Sequence, residues 1–459
     1  EVTIRVLNFS MEQRELYDDL IAEFEEEYPN INVEWELVAQ DKYEETMPLR
    51  FQSGDAPDFF VWYGSSGPAV VNELLEAGWI KPMPAESATE EEIEEWMSRW
   101  EGTPGEFVEG IHMIDGMPYG YTLSDQRFYG HGYMWHHPDL FEQAGIEEPP
   151  ATWSELLDAC DKIVNNTDAY CITIPMKEAG QLHRWWIPFA SSTISSVNFD
   201  YKTGQYAVDS EPILKTYELL KMLWDNEYVL PGINPKEFSR QAFGEKLAAI
   251  YFDGAWVPSV LRDAMGFEDL ELGVAPFPLP DEGPQGRVGV GITPPNMFVS
   301  SQTEHPEEVW TFIKWLTDRE GFYAQEYVGR GYGYLAFTDN AKWLEDPILL
   351  DLVEIAPSMR VVSPQPILVC PDLAQSQAQI NVGQIRPDWM YESLVEALTT
   401  GEDWEPVAAE IAGEFNSVFR ETLEAEAEAG LNVSVDCYTF PEWEYDQDWV
   451  FEGPMEFEE

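Results

Sequence analysis

An α/β chain of at least two domains is what this sequence predicts, on three observations. A length of 459 residues exceeds what one ordinary core accommodates. Segments of period-2 and period-3.6 hydrophobicity alternate from the first residues onward. A composition of 44% hydrophobic and 24% charged residues is that of a globular chain. An open sheet with helices on its faces follows from the alternation, with a ligand edge at the carboxyl ends of its strands.

The elements follow in order. "TIRVLNF" (3–9) reads as a strand; Ser10 then reads as an N-cap with Gln13 completing a capping box, and Tyr17, Leu20, Ile21, Phe24 and Tyr28 form one helical stripe. Pro29 and Asn30 end that helix. "INVEWEL" alternates Ile31, Val33, Trp35 and Leu37 with polar residues, as a half-buried strand does. A helix over "KYEETMPLRFQSG", a strand inside "GDAPDFFVWYGSS" and a helix over "AVVNELLEAG" continue the pattern. In the middle stretch Phe59, Phe60 and Val61 suit a buried strand, whereas Trp62 and Tyr63 fall where it ends, before a Gly/Ser turn, and suit a ligand as well as a core.

Asp115 and Gly116 mark a turn, "HGYMWHH" a new strand, and Pro138 to Gly145 a short helix; Thr152 caps the next helix through Glu155. Alternation continues to about residue 280, where "APFPLPDEGPQGRVGVG" reads as a crossing or linker. No repeat of 20 to 50 residues is present. Four cysteines without C-x-x-C spacing argue against zinc; the favoured disulfides are Cys160 with Cys171, tying a helix to the next strand, and Cys370 with Cys437, pinning the tail. That tail, residues 440–459, mixes eight carboxylates with six aromatics and no basic residue, and its aromatics argue for docking on the body of the protein.

Charge is the most unusual bulk property. Lys and Arg number 25 against 86 Asp and Glu, a net −61, which argues against a nucleic-acid partner and suits a hydrated surface in high salt or at low pH, with a specific cationic ligand as the alternative. No apolar run reaches the roughly 20 residues of a membrane helix. Enzyme motifs are missing: residues 64–67 are not G-x-S-x-G, "GRGYGYL" lacks the Lys of a phosphate loop, and His131, His136 and His137 lack H-E-x-x-H spacing. No catalytic residue, metal or cofactor is expected.

Several segments, in order, resemble the extracellular solute-binding proteins of family 1, the maltose-type carbohydrate receptors of ABC importers. They are "LIAEFEEEYPNINVEWE", "GDAPDFFVWYG", "IDGMPYGYTL", "YMWHHPDLFEQAGIEEPPATWSELLDACDKI", "FGEKLAAIYFDGAWVPSVL" and "HPEEVWTFIKWLTDREGFYAQ". Gly254 and Trp256 take the Gly and Trp places of the family's G-x-W stretch, while Glu245, Lys246 and Ile250 depart from its pattern. The likeness covers about residues 1–333 and is only general beyond.

The resemblance implies a two-lobed, periplasmic-binding-protein-like fold of type II. Its lobes would be joined by crossings near 118–121, 280–289 and 331–337 and would close on a ligand in the cleft. Residues 1–118 and 285–332 would form the first lobe, and 119–284 and 333–459 the second. It implies a receptor that binds a carbohydrate, an oligosaccharide above all, by lobe closure and delivers it to a membrane permease. Such a receptor acts as a monomer at the cell surface or in the periplasm, anchored through a lipid carried before Glu1. By position Trp62 and Tyr63 would face the ligand from one lobe and Trp256 from the other, with Trp185 or Trp186 as a further stacking ring. Asp58, Ser65, Asp125, Arg127, Phe9, Ser10, Arg330 and Tyr332 are the candidate polar or flanking contacts, each with a structural role as its alternative. Rival readings are a receptor for a polyamine or glycerol phosphate, and a secreted glycoside hydrolase.

Overall fold

The computed structural model describes residues 1–8, 13–38, 40–62 and 70–456. They fall into two compact units, 1–126 with 292–345, and 127–291 with 346–459.

The first unit is built on a six-stranded sheet. Val2–Asn8 pairs in parallel with Ile31–Leu37 on one side and Phe59–Val61 on the other. Met297–Ser300, from the returning segment, adds antiparallel to Phe59–Val61, with Phe298 opposite Phe60. It also pairs with Ile80–Lys81 and with Gly120–Tyr121, so the segment expected as a first crossing is a short strand of this sheet. Period-2 alternation sends neighbouring rings to opposite faces. Phe60 packs with Phe51 and Phe298, whereas Phe59 faces Tyr121 and Phe312. Both are fully buried, each worth roughly 1.5–3 kcal/mol of transfer free energy.

The first helix, Arg14–Glu27, buries Leu16, Tyr17, Leu20 and Phe24 on the predicted stripe. Its start differs from the expected capping box. Ser10 lies outside the described residues, and Gln13 makes no side-chain cap; its Oε1 instead accepts from the Tyr17 hydroxyl at 2.6 Å.

The second unit holds a four-stranded sheet in the order Gly273–Pro276, Tyr133–His136, Ala248–Asp253, Tyr170–Ile172. Every residue of Ala248–Asp253 is buried, which is why its sequence is a continuous apolar run closed by one carboxylate. Thr152 caps Trp153–Asn166 by accepting from the Glu155 N–H at 3.3 Å, and Glu155 accepts in return from Ala151 N–H at 2.8 Å. The Pro/Gly-rich segment belongs to the second unit and ends where the chain passes to the first, between residues 291 and 292. Residues 275–291 stay within the second one, where Val288–Val290 pairs in parallel with Arg360–Val362.

Both disulfides form as expected, Cys160 with Cys171 and Cys370 with Cys437. The tail docks on the second unit through main-chain bonds from Phe440 to Tyr201, Trp449 to Val362 and Met455 to Val369, at 2.7 to 2.8 Å. Tyr445 reinforces it, its hydroxyl donating to Asp200 at 2.9 Å.

Candidate ligand-binding site

In the first unit the strand-end candidates separate into distinct roles. Asp58 is buried, and its Oδ2 accepts from Arg5 N–H at 2.8 Å while its own N–H donates to Arg5 O at 2.8 Å, so it locks Phe59–Val61 onto the first strand. Trp62 is half-buried; its N–H donates to Asn296 O at 2.6 Å and its ring meets Trp79 edge-on at 5.8 Å. Phe9, Ser10, Tyr63 and Ser65 lie outside the described residues. Asp125 is buried and its N–H donates to Tyr334 O at 2.9 Å. Arg330 is held by Asp19 at 2.6 Å and Glu326 at 2.8 Å, so its guanidinium already has two carboxylates. Tyr332 packs on Tyr327 at 6.0 Å.

In the second unit the helix His183–Ile194 places Trp185 and Trp186 inside. Trp185 stacks on Phe189 at 4.2 Å and Trp186 meets Trp404 at 5.8 Å; with 1% and 0% of their surface exposed, both rings serve packing and present no stacking face. Arg127 lies over the Phe128 ring, 5.5 Å from its centre.

Trp256 is different. It is half-buried at the carboxyl end of Ala248–Asp253, where large amphipathic rings can pack on one side and stay open on the other. Gly254 sets its position, because a Cβ there would overlap the indole ring. The His131 ring meets the indole edge-on at 4.9 Å.

Beneath Trp256 lies a buried polar network. Asp253 is fully buried, and Oδ2 accepts from Arg184 Nε at 3.2 Å, Arg240 Nη2 at 3.0 Å and the Tyr251 hydroxyl at 3.0 Å; Oδ1 accepts from Gly254 N–H at 2.9 Å. His131 Nδ1 sits within ion-pair distance of Oδ1, at 3.2 Å. Burial alone would raise the Asp253 pKa, but His131, Arg184 and Arg240 together hold it well below the usual carboxylate range. His183 touches the His131 ring through facing Nε2 atoms at 3.1 Å, and burial followed by His131 lowers its pKa to about 4.

A third guanidinium reaches the same neighbourhood. Arg360 is 6% exposed; its Nη2 donates to His131 O at 3.0 Å and its plane lies 5.2 Å from the Tyr133 ring centre. Nε and Nη1 have no acceptor, and burial pushes its pKa down. Of this network the sequence had drawn attention to His131 alone, as part of a strand and turn. Two signals were present: an Asp ending an apolar strand, and an Arg heading an apolar helix.

The description that matches this chain, over residues 10–321, is that of the bacterial extracellular solute-binding proteins. A putative binding protein of Brucella abortus is 21% identical over 326 residues, 70% of this chain and 72% of its own length. An ABC-transporter extracellular-binding protein of Pyrococcus horikoshii is 22% identical, covering 69% of this chain and 68% of its own. Among solved structures, the GacH receptor of Streptomyces glaucescens, known unliganded and with acarbose, has a TM-score of 0.63 at 18% identity over 92% of this chain and 99% of its own. The sugar-binding protein MalE of Xanthomonas citri has 0.62 at 16%, over 93% and 99%. A RafE protein in complex with raffinose has 0.60 at 19%, over 91% and 100%. This chain has the fold of those proteins.

Proposed function

The chain belongs to the bacterial extracellular solute-binding proteins, and from that premise we propose that it binds a carbohydrate outside the cell and passes it to the permease of an ABC importer. The observation that carries the sugar reading is Trp256, a half-buried ring fixed by Gly254 above a buried polar network. Sugars are recognised in this way, a C–H face against an aromatic ring and hydroxyls against planar polar groups. Structural neighbours described with acarbose and raffinose support the same reading. The network beneath the ring orients it, so that little conformational freedom is lost on binding. A binding protein of this kind works alone, and size-exclusion chromatography should find a monomer.

Thermal melting and tryptophan fluorescence against a panel of mono- and oligosaccharides test the proposal. A saccharide that raises the melting temperature saturably, without being consumed, is the expected result, and Trp256→Ala should abolish the shift. Release of product from an oligosaccharide would replace the receptor reading with a glycoside hydrolase. A shift with polyamines alone would keep the fold and remove the carbohydrate.

A further inference from the structure

Among the described residues, three arginines and one carboxylate meet in the network of His131, whose ring lies against Trp256, and we propose on that ground that the ligand of this site is an acidic saccharide whose anionic group is a carboxylate, as in a uronic acid. The proposal rests on the carbohydrate reading above and specifies its chemistry. Asp253 is shared by Arg184 and Arg240, so one carboxylate faces two guanidiniums. Arg360 adds a third. It joins the group through His131, whose carbonyl accepts from Arg360 and whose ring lies against Trp256. Among the described residues no carboxylate comes within ion-pair distance of Arg360, and its Nε and Nη1 have no acceptor.

The chain at large makes this unusual. With 86 acidic residues against 25 basic ones, chance would surround a buried arginine with carboxylates, yet here the balance is reversed. The reversal matters locally. Charges on buried groups act through a medium of low polarisability, while surface carboxylates are screened beyond about 8–10 Å at ordinary salt. A cationic ligand is therefore disfavoured beside Trp256 whatever the net charge of the protein. A neutral sugar would leave the excess positive charge unanswered, and a carboxylate on the ring would answer it. Planar guanidinium forks match a carboxylate in two parallel bonds, and an aromatic ring beside them suits the sugar face that carries it. Guanidinium forks match a phosphate as well, and hexose phosphates therefore stand beside the uronates in the test.

Calorimetric titration of the intact protein tests this with matched pairs: galacturonate and glucuronate oligosaccharides, the neutral galactose and glucose oligosaccharides of the same linkage, and hexose phosphates. The uronates should bind about tenfold or more tightly than their neutral counterparts, and added sodium chloride should narrow the difference. Arg360→Gln should weaken uronate binding, and Arg360→Lys should restore part of it, with circular dichroism confirming that both variants fold. Neutral oligosaccharides that bind as tightly as the uronates, or hexose phosphates that bind more tightly, would overturn the proposal while leaving a sugar receptor in place. Folded protein that binds no saccharide of either kind would remove the receptor reading and this proposal with it.

Discussion

At the scale of single residues, Asp253 is the group on which the site's geometry hangs. Removing its charge leaves Arg184 and Arg240 buried and facing each other, so Asp253→Asn should destabilise the protein by about 3–5 kcal/mol in denaturant titrations. A loss below about 1 kcal/mol would mean that water or other groups already solvate the arginines. Gly254 makes a subtler prediction. Gly254→Ala forces the Trp256 ring aside, so saccharide affinity should fall by about tenfold or more while the melting temperature changes little. Trp256 was legible in the sequence because its Gly and Trp stand in a recognisable stretch. Asp253 was passed over: closing an apolar strand is its only local mark, and nothing in the sequence pairs this one carboxylate among 86 with its arginines. Arg184 and Arg360 escaped for a similar reason: they reach the network from segments far apart in the chain, and only the folded second unit brings them together.

Among the elements, the two disulfides divide the work of stabilisation unequally. Cys160–Cys171 closes a loop of 11 residues and Cys370–Cys437 one of 67. Loop-closure entropy assigns them about 3 and about 4 kcal/mol. Replacing Cys370 and Cys437 together by alanine should therefore lower stability more than replacing Cys160 and Cys171. It should also expose the tail to protease, because Val369, which anchors the tail at Met455, adjoins Cys370 in the chain. Equal losses from the two pairs would show that the unfolded chain already restrains the longer loop. Elements that carry their own local signals were readable: the Thr152 cap, the Arg14–Glu27 stripe and the alternation of Ile31–Leu37. Val288–Val290 was not, since a three-residue strand around a glycine takes its conformation from the distant partner it pairs with, and the same dependence hid the pairing, though not the extended course, of Gly120–Tyr121.

For the whole molecule, the net charge of −61 sets the conditions under which it is most stable. Both salt and acid relieve repulsion among carboxylates, the first by screening and the second by protonation. Buried histidines separate the two. His112, His136 and His183 have pKa values lowered to about 4, chiefly by burial, so the unfolded chain takes up their protons near pH 6.5 and the folded protein does not. The stability they contribute is complete above about pH 6.5 and is lost as the pH falls towards 4, at about 1.4 kcal/mol per pH unit for each fully titrating group. Asp253 extends the loss, since its depressed pKa stabilises the fold above about pH 4 and fails below it. Acid therefore weakens the interior before it neutralises the surface, whereas salt carries no such cost. Raising sodium chloride from about 0.1 to about 1 M at neutral pH should raise the melting temperature, and lowering the pH from about 7 to about 5 at constant salt should lower it. A melting temperature that instead rises towards pH 5 and ignores salt would mean that carboxylate protonation outweighs the three histidines, and that the surface is matched to acid.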